Sequence, residues 1–518
     1  MRLVDAVTAV RQIEDGDTVI IGGSGAGHAV PQLFIDTLAT QFRDEGSPRG
    51  LTTVRVVGLG DFSDRGMSQL ALPGLMRRTI GSNIGNEPAL GAMVDSGEVE
   101  GYSFPQGVLS QLCREIAAGR PGLITHIGLH TYVDPRHTGG KQGRATEDLV
   151  EVIVLDGREW LFYRSFPIDV AVIRGSSIDD DGNLSMEQEA VRGEMLDMAM
   201  AARNSGGIVI AQAKKVVPAG GFDRRRVEVP GALVDFAYLD PAQTQTYQTG
   251  YSPYYAGERR LEPDENRQPV PLNVRKVIAR RSLLEFMPGD ICNLGFGISQ
   301  EIGDIAWEEG IDQSLVLTVE QGVFGGVPVA GPDGGAGFNY QALIEQPSMF
   351  DFYDGGGLDV ASLSFAEVDA RGNVNVHAFS GRLRGPGGFL NISARTDKVC
   401  FVGTFTTEGL VTEVVGGRLS IVEEGARPKF VNRVAEVSFC GEMSGPDQRV
   451  LYITERAVFA LSEGVVTLVE VAEGIDVERH VLAHMGFRPV VADPLRVIDR
   501  RVYAEGPMGL AAGFAAHR

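Results

Sequence analysis

The residue best placed to do chemistry is Glu320, at the end of the run Ser314-Leu-Val-Leu-Thr-Val-Glu320-Gln-Gly-Val-Phe-Gly-Gly326. Apolar and β-branched side chains fill the positions before it, the composition of a parallel strand covered on both faces. Gly322, Gly325 and Gly326 then allow a sharp turn and close backbone approach to a ligand. In open α/β sheets ligands lie beyond the carboxyl ends of the strands, so a carboxylate there faces a crevice while its main chain stays fixed. Glu320 is thus a candidate nucleophile, with a strand-terminal charge facing water as the alternative. A second candidate is Gln106, in Tyr102-Ser-Phe-Pro-Gln106-Gly107 before a helical stretch from Val108 to Ala118. Its side-chain amide can donate to an oxyanion or serve as a cap or turn residue.

Other chemistries fare worse. The loop Gly22-Gly-Ser-Gly-Ala-Gly27 follows a strand and precedes a helix, but a dinucleotide fingerprint needs glycine where His28 stands. His480 and His484 have the spacing of two ligands on one helix face, but Val481 replaces the glutamate of a zinc-hydrolase motif and no third ligand is apparent. His28, His126, His130, His137, His377 and His517 pair with no Ser or Cys nucleophile in a familiar motif. Cys113, Cys292, Cys400 and Cys440 are far apart and are expected to be reduced, mostly buried residues. Carboxylate chemistry without metal or cofactor remains.

Positioning such groups requires a sizeable scaffold. With 518 residues, 43% hydrophobic and 22% charged, the chain is long enough for several domains of ordinary globular composition. The net charge of −21, from 68 acids against 47 bases, argues against a nucleic-acid footprint. Anionic ligands must therefore be met locally, by backbone amides or single basic residues. The amino terminus has no secretory pattern and no run is long and apolar enough to span a membrane, so a cytoplasmic protein is expected.

The order of elements predicts an α/β fold built twice. Asp169-Val-Ala171, Asp179 and Gly182-Asn183 recur at a constant separation as Asp359-Val-Ala361, Asp369 and Gly372-Asn373. Gly16-Asp17 before Gly22 recurs as Gly289-Asp290 before Gly295, at a different separation, so one half carries an insertion. Residues 3–15 read as a helix, and Thr131–Lys141 as a polar loop facing substrate or a partner. The expected domains are 1–246 and 274–518, joined by a proline-rich, charged linker at 247–273.

Taken together, Glu320 in Thr-Val-Glu-Gln-Gly, Phe350-Asp-Phe-Tyr-Asp-Gly-Gly-Gly-Leu-Asp359, Gly372-Asn-Val-Asn-Val376, Gly385-Pro-Gly-Gly-Phe389, Val402-Gly-Thr-Phe405, Thr454-Glu-Arg-Ala-Val-Phe459 and Pro105-Gln-Gly107 resemble the family I coenzyme A transferases. The likeness is greatest to single-chain propionate and acetate CoA-transferases, in which two subunits are fused, and it covers essentially the whole chain. It implies that 1–246 is α-subunit-like and that 274–518 is β-subunit-like and carries the catalytic glutamate. It also implies that Glu320 forms a glutamyl-CoA thioester, that Gln106 lies near the oxyanion, and that the Gly387–Gly388 backbone contributes to the oxyanion and CoA site. The expected substrates are acyl-CoA and small carboxylates such as acetate, coenzyme A being a substrate and not a cofactor, in a homo-oligomer without nucleic-acid or membrane partners. An acyl-CoA hydrolase and a non-catalytic ligand-binding protein are the alternatives on this scaffold.

Overall fold

Two mixed sheets, each built around a run of parallel strands, account for the duplicated pattern in the sequence. The computed structural model describes residues 1–262, 268–379 and 381–516. The chain divides into two compact units that are not contiguous in sequence. One is Met1–Leu261 with Val319–Asp351 and Gly381–Gly388; the other is Glu262–Thr318, Phe352–Ser380 and Phe389–Arg518. Segments 319–351 and 381–388, expected within 274–518, therefore pack with the first unit.

In the first unit the strands run Phe236–Leu239, Ile208–Val217, Val170–Asp179, Thr18–Ile21, Leu51–Val54, Met76–Gly81 and Glu100–Ser103, all parallel. Val170–Asp179 is buried along its whole length, as a central strand covered on both faces must be. Val19, Ile21, Val170, Val172 and Ile210 from these strands pack with Phe34, Ile35 and Leu38 of the helix Gln32–Glu45. A separate antiparallel sheet of Gly122–Thr125, Arg158–Arg164 and Val150–Leu155 lies in the stretch where the first half carries unmatched residues.

In the second unit Arg449–Ile453, Lys398–Val402, Val360–Ser364, Ile291–Leu294 and the strand starting at Val316 repeat the first five strands in the same order, again parallel. Its core joins Val277 and Ile278 of the helix Val274–Leu283 to Ile302, Ile305, Leu317, Val360 and Cys400. The repeat extends to individual hydrogen bonds. Asp179 Oδ1 accepts from the N–H groups of Asp181 and Asn183, and Asn183 Oδ1 accepts from Gly231 N at 2.9 Å. Asp369 Oδ1 accepts from those of Arg371 and Asn373, and Asn373 Oδ1 accepts from Gly441 N at 3.0 Å. Likewise Asp169 caps Thr18 N at 2.8 Å in one unit, and Asp359 caps Ile291 N at 2.7 Å in the other. The Asp and Gly-Asn positions recur because each copy uses them to close the same turn.

Several local expectations need correction. The helix expected over 3–15 is confined to Ala6–Val10, because Asp17 Oδ2 accepts from Glu14 N at 2.8 Å and draws the following residues into a turn. Thr131, Tyr132, Val133 and Asp134 are buried, with Asp134 accepting from His130 N at 2.9 Å and from Arg136, so the front of this polar loop packs into the protein while Arg136 and His137 are exposed. The start of the 247–273 segment is pinned to the first unit: Tyr247 N donates to Ala26 O at 2.8 Å, and Leu261 N to Asn339 Oδ1 at 2.7 Å. Residues 263–267, within that segment, and His517 lie outside the described residues.

Candidate active site

The strand Val316–Val319 ends one residue before Glu320, which is half-buried. Gly322 follows with φ +110°, and a Cβ there would stand 2.0 Å from the Ile344 carbonyl oxygen, so only glycine fits. Ile344 N donates to Gly322 O at 2.9 Å, which ties the Glu320 loop to the segment leading into the helix Gln346–Asp354. Gln321 is 4% exposed and its Nε2 donates to Glu320 Oε1 at 3.2 Å. A Cβ on Gly335 would lie 3.2 Å from His28 Nε2 and 3.5 Å from Gln321 Cδ, so the Glu320 loop packs near the glycine loop of residues 22–27. His28 is fully buried and its Nε2 donates to Gly334 O at 3.1 Å; burial lowers the imidazole pKa, so the ring is neutral.

Gln106 is the first residue of the helix Gln106–Ala117, with Pro105 at the cap position, and it is 1% exposed. Gln106 Nε2 donates to Gln346 Oε1 at 3.4 Å, and Gln346 Nε2 donates to Glu194 Oε2 at 3.0 Å. Ser110 Oγ donates to the same oxygen at 3.1 Å, whereas Glu194 Oε1 has no partner among the described residues. Burial pushes the Glu194 carboxyl up to about 8. Gln106 and Gln346 each open a helix, and Glu194 stands at the cap position of the helix Met195–Asn204 without a side-chain capping bond, so three helix N-termini meet here. Their dipoles favour negative charge developing nearby.

The loop Gly381–Gly388 seats this helix start. Gly387, at φ +57°, accepts from Gln106 N at 3.0 Å through its carbonyl and donates its own N–H to Ser82 O at 3.3 Å. Gly385, at φ +79°, has space for a Cβ only 2.3 Å from Ser82 O. Gly388 follows in the same loop and is buried. Glu320, Gln106, Gly387 and Gly388 therefore all belong to the first compact unit. They are linked through Gly322, Ile344, Gln346 and Ser82. Sequence reasoning missed Gln346 and Glu194, because each joins the site only through tertiary hydrogen bonds.

Elsewhere, His480 closes the four-residue helix Val477–His480 and accepts from Asp476 N at 3.0 Å, so no regular helix carries it and His484 on one face. Among the described residues no cluster of His, Cys, Asp and Glu suits a metal, and no helix is long and apolar enough to cross a membrane. Cys113, Cys292 and Cys400 are buried thiols and Cys440 is partly buried.

Comparison with known proteins agrees with this architecture. A family model described as coenzyme A transferase matches residues 4–238. Acetate CoA-transferase YdiF of Escherichia coli (strain K12) is 40% identical over 99% of this chain and 97% of its own length. Caffeate CoA-transferase of Acetobacterium woodii is 40% identical over 98% of each. The crystal structure of the acyl-CoA transferase YdiF from E. coli O157:H7, a thioester complex with CoA, is similar at a TM-score of 0.93 with 39% identity, covering 98% of this chain and 97% of that one. The chain belongs to the coenzyme A transferase family and is an enzyme that transfers coenzyme A.

Proposed function

We propose that the protein exchanges coenzyme A between a short-chain acyl-CoA and a carboxylate such as acetate or propionate, by ping-pong chemistry through a thioester on Glu320. The observation that carries this reading is a carboxylate at a strand end whose glycine loop is bonded to the segment bearing Gln346, itself bonded to Gln106. A Glu320 carboxylate oxygen attacks the thioester carbonyl and expels CoA thiolate, leaving an acyl-glutamyl anhydride. The thiolate attacks the glutamyl carbonyl, releasing the first carboxylate and leaving CoA on Glu320. An acceptor carboxylate reverses these steps and departs as the new acyl-CoA. One thioester replaces another, so the reaction needs neither ATP nor a metal.

Each tetrahedral intermediate carries an oxyanion, and one well-placed donor is worth about 3 kcal/mol. Gln106 is assigned that role, with the Gly387–Gly388 backbone contributing to the same oxyanion and CoA site. Half-burial of Glu320 limits water around the anhydride. Residues 1–246 and 274–518 are proposed as the two fused halves of the family, joined by 247–273. A cytoplasmic homo-oligomer that uses CoA only as substrate completes the proposal. The acyl pocket is open to test, since an acetate and a caffeate CoA-transferase are equally similar in identity.

Initial rates with acetyl-CoA and varied acceptors, from propionate and butyrate to caffeate, test the reading. Ping-pong transfer predicts parallel double-reciprocal lines, because the first carboxylate leaves before the second binds. Intersecting lines contradict the covalent route, and steady release of free CoA without acceptor identifies a hydrolase instead.

A further inference from the structure

Gln106 must present its amide N–H to an oxyanion, but a glutamine side chain has rotatable torsions and two chemically different ends, so something must choose its orientation. Among the described residues, the group that accepts from its Nε2 is Gln346 Oε1. Gln346 could flip its own amide and offer an N–H there, but its Nε2 is committed to Glu194 Oε2 at 3.0 Å. Glu194 Oε2 in turn accepts from Ser110 Oγ on the helix that Gln106 opens, which closes the chain of bonds on the element where it began. Gln106, Ser110, Glu194 and Gln346 are each no more than 2% exposed, so water does not compete for these bonds.

We propose that Gln346 and Glu194 are positioning residues for CoA transfer: Glu194 fixes the Gln346 amide, and Gln346 holds one N–H of Gln106 so that the other points to the reacting carbonyl. The inference rests on the proposed role of Gln106 and adds two residues to it. A buried network acts as a unit only when its members are satisfied, and loosening a support can misplace a catalytic donor by an ångström.

The protonation of Glu194 bears on the same geometry. Desolvation raises its carboxyl, and the nearby Asp197 carboxylate raises it further. Cys113 and Arg114 lie on the facing helix and Glu345 and Asp351 on the segment of Gln346; Arg114 pairs with Asp351 at 2.9 Å and stands 3.9 Å from Asp197. Near neutral pH Glu194 is therefore an uncharged acid. Its ionisation places a negative charge two hydrogen bonds from the Gln106 amide, where it opposes the developing oxyanion.

The test compares Gln346→Ala, Glu194→Ala, Glu194→Gln and Gln106→Ala in the full chain. Gln346→Ala and Glu194→Ala should lower kcat about tenfold to a hundredfold with little change in the KM for acyl-CoA. The unmodified enzyme should lose kcat above pH of about 8, and Glu194→Gln, an uncharged isostere, should recover most of the neutral-pH rate and lack that decline. Adding Gln346→Ala to Gln106→Ala should cost nothing further, which a merely structural role would not produce. Additive losses, or an alkaline decline that persists in Glu194→Gln, overturn the proposal. If Gln106→Ala is impaired while Gln346→Ala and Glu194→Ala transfer CoA normally, only this inference fails. If Gln106→Ala keeps full kcat, the oxyanion role of Gln106 falls, and this inference with it.

Discussion

Glu320 and Glu194 are both carboxyls near one loop system, and their surroundings differ. Glu320, the proposed nucleophile, is half-buried and receives an N–H from Gln321. Shortening it to aspartate withdraws the carboxylate by about 1 Å, and such a misplacement can cost about a hundredfold. Glu320→Asp should therefore lose most of its kcat while melting as the parent does; a variant within a few-fold of the parent would argue against nucleophilic attack. Glu194 keeps its proton in the fold up to about 8, whereas a solvated glutamate gives it up near 4.5. The folded state then binds more protons between these values, so this group's contribution to stability is full at low pH and is lost as pH rises through that window. Thermal melts should show Glu194→Gln gaining on the parent from pH 5 to pH 8, and a pH-independent difference would refute the burial argument. Glu320 was legible in the sequence because an apolar run ended at it and glycines followed. Glu194 was not, since nothing within a few residues marks it and its partners are Ser110 and Gln346.

At the level of elements, two loops do the positioning and both depend on glycine. Gly322→Ala must move the Ile344 carbonyl, which is rigid backbone, and so should displace the loop that carries Glu320. Loss of most transfer is expected, and full activity in Gly322→Ala would show that this loop does not set the site. The strands Thr18–Ile21 and Val316–Val319 could be read from β-branched runs bounded by glycine or polar residues. The helix at Gln106 could be read only from Val108 onward; that Gln106 is its first turn, with its side chain turned to Gln346 and not to its own backbone, depends on tertiary packing. The 3–15 expectation failed for a related reason: helical periodicity continues past Val10, but Asp17 offers Glu14 a competing local bond.

For the whole molecule, the sequence repeat revealed the duplication and hid the interleaving. Repeated Asp and Gly-Asn turns mark two copies of one sheet, because each copy needs the same side-chain bonds. By register, the residue matching Glu320 in the first copy is Val56, since Ile20 pairs Val54 as Asn293 pairs Thr318. One chain thus carries one such carboxylate. No linear pattern indicates that 319–351 and 381–388 return to the first unit. It follows that a 1–261 fragment should fail to melt cooperatively alone and should recover on co-expression with 262–518; a fragment as stable as the intact chain would refute this. The central claim is tested most directly by mass spectrometry of the intact enzyme incubated with acyl-CoA and no acceptor. The account predicts the mass of CoA on a single peptide, with borohydride converting Glu320 to an alcohol and abolishing transfer; an adduct on another residue, or none under conditions of active transfer, would contradict it.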